Sequence, residues 1–260
     1  MYNPNVSKLE RTVLLMGRAH EVRAASMAKT AAAKSKLYAK YGKELYMAAK
    51  GNPDPVNNLA LRGVVARAKK DQVPADVIKR AIEKAAGGSA ESYIYKRFEG
   101  FGHNNSMVIV DCLTDNGNRT AATIPTIFSK CGIKMGVPGC AAHSFKNQSI
   151  FTFEGKTEDE VLEILLMADC DVDEVTVDED GWVTVTAKPE AYNAVRTALT
   201  DADPEIKFDD DKITWTPNDY VDLDDEQMEK FQRFLDMLED NEDVQDVYHN
   251  VNMPVVEEEE

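Results

Sequence analysis

Base is in short supply along this chain. Thirty lysines and arginines stand against 46 aspartates and glutamates in 260 residues, a formal net charge of −16. So acidic a protein is repelled by phosphate as a whole, and any nucleic-acid role must rest on a local concentration of base. Long apolar runs are missing too. None approaches the roughly 20 residues that span a bilayer. The early TVLLM is too short for a signal-peptide core and runs straight into Gly17-Arg18. We expect a cytoplasmic protein with no membrane partner. Cysteine is sparse: Cys112, Cys131, Cys140 and Cys170 form no CxxC pair, and read as reduced, mostly buried thiols rather than a zinc site or a disulfide frame. There is no GxxxxGKS/T and no HExxH, and His20, His103, His143 and His249 are scattered. The expectation is a non-enzymatic protein with no cofactor, no metal and no small-molecule substrate.

What base there is, is concentrated. Residues 1–86 hold 17 Lys+Arg against 7 Asp+Glu, whereas residues 87–260 hold 13 against 39, which gives +10 and −26. Such asymmetry points to a polyanion-binding module on an acidic body. Within the first part, AKTAAAKSKLYAKYGKELYMAAK carries six lysines and one glutamate. At about 100° per residue, Lys29, Lys36, Lys40, Lys43 and Lys50 share an arc of about 80°, with Leu37, Tyr41, Leu45 and Ala48 turned away from it. Two readings stand: a solvated face on a core-packed helix, or a cationic stripe that follows a phosphate backbone, extended upstream by Arg18 and Arg23. Tyr46 borders the stripe, suited either to stacking on a base or to packing between helices.

The coarse pattern is α+β with several domains. Residues 1–15 read as an arm. Three helices follow: the lysine-striped one, Val56 to Lys70, and one opened by Pro74 and stopped at Gly87-Gly88. SYIYKRFEGF and SMVIVDCL read as neighbouring strands. Asn118 is expected to cap a helix through Ser129, and HSF and SIFTF are expected as two strands meeting at Lys146-Asn147-Gln148. Thr157 and Glu160 form a capping box for a helix to Met167. EVTVDEDGWVTVTA is a hairpin turning at Asp180-Gly181. A helix over Glu190 to Leu199, the strand KITWTP, an acidic helix over Asp225 to Leu238 and the strand DVYHNV complete two small α+β units.

Several stretches together resemble the YebC family of regulators, which includes the mitochondrial translational activator of cytochrome c oxidase. They are Leu113-Thr114-Asp115-Asn116-Gly117-Asn118-Arg119-Thr120, Phe128-Ser129-Lys130-Cys131-Gly132, the following Gly136, Gly139 and Phe145, Phe98-Glu99-Gly100-Phe101-Gly102, and Val247-Tyr248-His249-Asn250. Ala19-His20 stands where the family has an early Lys-Trp pair, and Ile133 where glycine is common, as in the family's divergent second branch. The resemblance implies a helical nucleic-acid-binding domain at 16–88 and a ferredoxin-like α/β domain built from 89–132 and 205–252. It also implies a second such domain at 133–204 inserted within the first, before an acidic tail at 253–260. It implies regulation of transcription through DNA or of translation on the ribosome, where a lysine-rich, shape-tolerant surface suits rRNA. The second reading comes first for this chain, because no helix shows Asn, Gln and Arg aimed at base edges.

Two further segments are candidates. Gly132, Lys134, Gly136, Gly139 and His143 lie in the loop GIKMGVPGCAAHSF, read either as a partner-binding loop or as a connection that needs tight turns. Asn118, Arg119 and Thr120 stand at a helix start, where N–H groups can hold phosphate, or else form a plain cap with Arg119 in an ion pair. A third class, an acidic adaptor binding basic proteins through residues 222–246, leaves the lysine stripe unexplained.

Overall fold

The computed structural model describes residues 33–87 and 92–254. The arm at 1–15, Arg18, Arg23, Lys29 and the tail from 255 lie outside the described residues. The chain divides into two units, Met1–Ser89 and Ala90–Glu260.

The first unit is helical. Helix α1 covers 33–49, α2 Leu59–Lys70 and α3 Ala75–Ala86. Helical periodicity puts Tyr41, Leu45 and Ala49 on one side of α1, where they meet Leu61, Val64, Ala68, Val73, Ile78 and Ala81. Asn58 joins α1 to α2: its side-chain oxygen accepts from the Leu61 N–H at 3.0 Å and its amide donates to the Ala48 carbonyl at 2.7 Å. One residue thus serves both a helix start and a helix end.

The second unit holds two four-stranded antiparallel sheets. In the first, β1 (Ile94–Phe101), β2 (Met107–Thr114), β3 (Lys134–Met135) and β8 (Val244–His249) run in the order β3-β1-β2-β8. Helices α4 (Gly117–Lys130) and α7 (Asp225–Glu239) cover one face, burying Val108, Val110, Ile124, Phe128, Phe234 and Leu238. Phe128 and Phe234 meet edge to face at 5.0 Å. The second sheet contains β4 (Phe145–Glu154), β5 (Glu174–Val177), β6 (Trp182–Ala187) and β7 (Phe208–Pro217) in the order β5-β6-β4-β7. With α5 (Glu158–Met167) after β4 and α6 (Tyr192–Ala202) after β6, this is the β-α-β-β-α-β ferredoxin-like arrangement. The first sheet reaches four strands by another route, with β1 and β2 joined directly as a hairpin.

The capping box at Thr157 and Glu160 is formed on both sides, and the hairpin turns at Gly181, whose φ is +86°. Four expectations are corrected. HSF and SIFTF are one strand, because Lys146, Asn147 and Gln148 pair with Thr216, Trp215 and Thr214 of β7. β7 begins at Phe208, earlier than KITWTP, and lies in the second sheet, so the second sheet ends at Pro217 and not at 204. Lys134-Met135 pairs with Phe101 and Gly100, so the start of the expected insertion at 133 belongs to the first sheet. The α4 cap is Asn116, not Asn118: its side chain accepts from the Arg119 N–H at 3.1 Å.

Candidate nucleic-acid and partner surfaces

Lys36, Lys40 and Lys43 of α1 are half-buried, and Lys50, just past its end, is exposed. Tyr46 is buried to 3% exposure, so its ring is not open for a base to stack on. The sequence pattern passed over further base on the same unit. Lys69 and Lys70 are exposed in the last turn of α2, where cations favour the negative end of the helix dipole, and Lys79, Arg80 and Lys84 are exposed on α3. Across 33–87 there are 12 Lys+Arg and 5 Asp+Glu. Two arginines of α2 are engaged within the unit: Arg67 pairs with Glu44, and Arg62 donates to the carbonyls of Pro55 and Val56.

The glycine-rich segment is built around a buried acid that the sequence did not single out. The Glu99 carboxylate is 3% exposed and accepts three backbone N–H bonds, from Gly139 at 2.8 Å, Ala141 at 2.7 Å and Ala142 at 3.0 Å. Its own carbonyl accepts from Gly136 at 2.8 Å. Burial works to raise its pKa, but the three N–H donors and nearby Arg97 outweigh it and hold the acid below the usual carboxylate range. A Cβ on Gly136 would lie 2.3 Å from the Cys140 sulfur, and Gly139 has φ +87°, so both positions require glycine for shape. Lys134 and His143 are exposed, and between them Met135 and Val137 protrude at 41% and 72% exposure.

Of Asn118, Arg119 and Thr120, the last two are brought together with Asp243. Arg119 donates to both Asp243 oxygens, at 3.1 and 2.6 Å, and to Asp115 at 2.8 Å. Thr120 is fully buried and donates to Asp243 at 2.9 Å. Burial pushes the Asp243 acid up, and the bonds from Arg119 and Thr120 bring it below its ordinary value. The ion-pair reading therefore describes this cluster, and Thr120 is closed to any phosphate. Asn118 is exposed.

Where the two sheets meet, Arg97 forms a two-pronged pair with Asp111, both contacts at 2.7 Å, and its guanidinium lies over Trp215. The cross-strand register Arg97↔Asp111 could have been read from the β1–β2 hairpin; the Trp215 partner could not. Among the described residues no helix is long and apolar enough to cross a membrane, and no group of three or more His, Cys, Asp or Glu is placed to hold a metal ion.

Two family models match the chain: the TACO1/YebC protein N-terminal domain over residues 18–88, and the TACO1/YebC second and third domain over 93–251. A probable transcriptional regulatory protein of Alteromonas mediterranea is 53% identical over 240 residues, which cover 92% of this chain and all of the relative. One from Pseudoalteromonas atlantica is 53% identical, covering 90% of this chain and 97% of the relative. A crystal structure of a conserved hypothetical protein from Aquifex aeolicus is 29% identical and superposes with a TM-score of 0.70, covering 87% of this chain and 93% of that one.

Proposed function

The chain belongs to the TACO1/YebC family, and from that premise we propose that it regulates gene expression by gripping nucleic-acid phosphates with its helical unit. Relatives that match nearly the whole chain are named as probable transcriptional regulatory proteins. The family is described by regulation and not by a reaction, in keeping with a non-enzymatic role in the cytoplasm.

One observation carries the reading: the base of this acidic chain is gathered on a compact helical unit, chiefly Lys36, Lys40, Lys43 and Lys50, with Arg18, Arg23 and Lys29 upstream in sequence. Such contacts position a protein on a backbone without reading sequence. Ribosomal RNA is the favoured target. Arg62 and Arg67 of α2 are turned to partners within the unit, which supports shape-tolerant contact over base-edge readout in a major groove. Duplex DNA is the second reading, favoured by the names of the relatives. In the acidic unit the segment Gly132, Lys134, Gly136, Gly139 and His143 presents Val137 to a protein or RNA partner in the assembly. Co-sedimentation of the full chain with ribosomes, set beside a gel shift on duplex DNA, separates the targets. Pelleting with ribosomes in a salt-sensitive manner, with weak and sequence-indifferent duplex binding, is the expected result. A sequence-selective duplex shift with no ribosome pelleting would replace RNA by DNA, and binding to neither would overturn the reading.

A further inference from the structure

Helix α5 carries a feature that nucleic-acid binding leaves unused. Its inner side, Val161 and Leu165, is buried in the ferredoxin-like core. On its outer side, Leu162, Leu166 and Met167 are 40%, 82% and 79% exposed. Leu162 and Leu166 are one turn apart, so they form one stripe, and Met167 projects about 100° further round at the same end of the helix. A single exposed leucine is ordinary; a stripe of two leucines with an exposed methionine at the same helix end, set among acids, marks a contact surface.

The charge on α5 itself has one sign. Glu158 and Asp159 lie one turn before Leu162 and Glu163, both acids are exposed, and Glu163 and Asp169 flank the apolar end. No lysine or arginine occurs in α5, and its last turn has no base to complement the partial negative charge of the helix end. Lys156, just before α5, pairs with Asp203, and Lys188 pairs with Asp171 in the segment that follows the helix. Phosphate is repelled from such a surface. We propose that the outer face of α5 docks a cationic amphipathic segment of a protein, with apolar side chains against Leu162, Leu166 and Met167 and Lys or Arg against the acidic rim. This is the helix-against-apolar-face mode of recognition with a charged border. It gives the acidic unit a protein partner, separate from the phosphate contacts of the helical unit.

The test uses the full chain and two synthetic probes of identical composition, a leucine/lysine peptide patterned as an amphipathic helix and its scrambled version, followed by fluorescence anisotropy. The amphipathic probe is expected to bind at least about tenfold tighter than the scramble, a difference that Leu166→Asn with Met167→Gln removes while melting and nucleic-acid binding stay unchanged. Because net charge is the same in both probes and in that variant, general attraction to an acidic protein cannot produce this pattern. Glu158→Gln with Glu163→Gln should weaken the amphipathic probe and flatten its salt dependence. Equal binding of the two probes, or full preference retained in the Leu166/Met167 variant, overturns the proposal whatever the outcome with nucleic acid.

Discussion

The Arg97 guanidinium lies 4.4 Å from the centre of the Trp215 ring, one on the first sheet and the other on β7 of the second. The contact sits beside Ile109, Ala141 and Phe145, the apolar cluster where the two sheets meet. A cation held by Asp111 and stacked on an indole fixes a distance and a plane at once. Trp215→Ala removes the ring from a half-buried site and should destabilise the acidic unit by about 2 kcal/mol, below the 3 to 5 kcal/mol of a fully buried tryptophan. Urea unfolding followed by far-UV circular dichroism measures it. An unchanged midpoint would mean that the junction contributes nothing.

Glu99 predicts a pH dependence. Its folded pKa lies below the ordinary value, so its stabilisation is present above about pH 4.3 and is lost as pH falls through the folded value. Glu99→Gln keeps the volume but cannot accept from Gly139, Ala141 and Ala142 as a carboxylate does. A loss of about 2 to 3 kcal/mol at pH 7 is expected. The gap between wild type and variant should close in acid below about pH 4. A gap that stays constant with pH would show that the charge is not what holds the loop.

In the loop that Glu99 holds, shape and contact separate by substitution. Gly139→Val places a branched side chain at positive φ and should cost about 1 to 2 kcal/mol. Val137→Asn changes an exposed side chain and should leave melting and nucleic-acid binding unaltered while lowering activity in a translation or transcription reporter. Full activity in a stable Val137→Asn protein would leave the loop as a connection only.

Lys36, Lys40 and Lys43 changed together to alanine should weaken nucleic-acid binding and flatten its salt slope by roughly 2 to 3, at about 0.7 to 0.9 per phosphate contact. Thermal melting measured beside it separates lost contacts from lost fold. A slope unchanged by the triple substitution would return the stripe to a solvated helix face.

Where short-range chemistry decides, the sequence was readable. Thr157 and Glu160 satisfy one another's backbone within one turn, and Asp180-Gly181 bends a hairpin whose strands are adjacent in the chain. Long-range pairing was not readable. Lys146-Asn147-Gln148 has the composition of a turn, yet β7 extends it as strand from more than 60 residues away. The start of β7 was hidden by Asp209, Asp210 and Asp211, poor strand formers. Asp211 is accommodated because Tyr192 and Arg196 of α6 bond to it at 2.5 and 2.7 Å. Among the candidate sites, the lysine stripe was visible as periodicity. Glu99 stood in a stretch that carries the family resemblance, but only the fold shows that it holds the backbone of Gly139, Ala141 and Ala142.

The strand order of the first sheet also bears on how the protein is made. β2 lies between β1, its neighbour in sequence, and β8, which arrives about 130 residues later and pairs through Val108↔His249 and Val110↔Val247. During synthesis from the N-terminus, the ferredoxin-like sheet has all four of its strands once Pro217 has emerged, while the first sheet still lacks a strand and the α7 face of its core. The first sheet therefore closes after the ferredoxin-like one, in a slow, non-local step that waits for β8 to be made. A ribosome that stops between α6 and β8 leaves one edge of β2 without its strand, the kind of surface that draws chaperones and seeds aggregation.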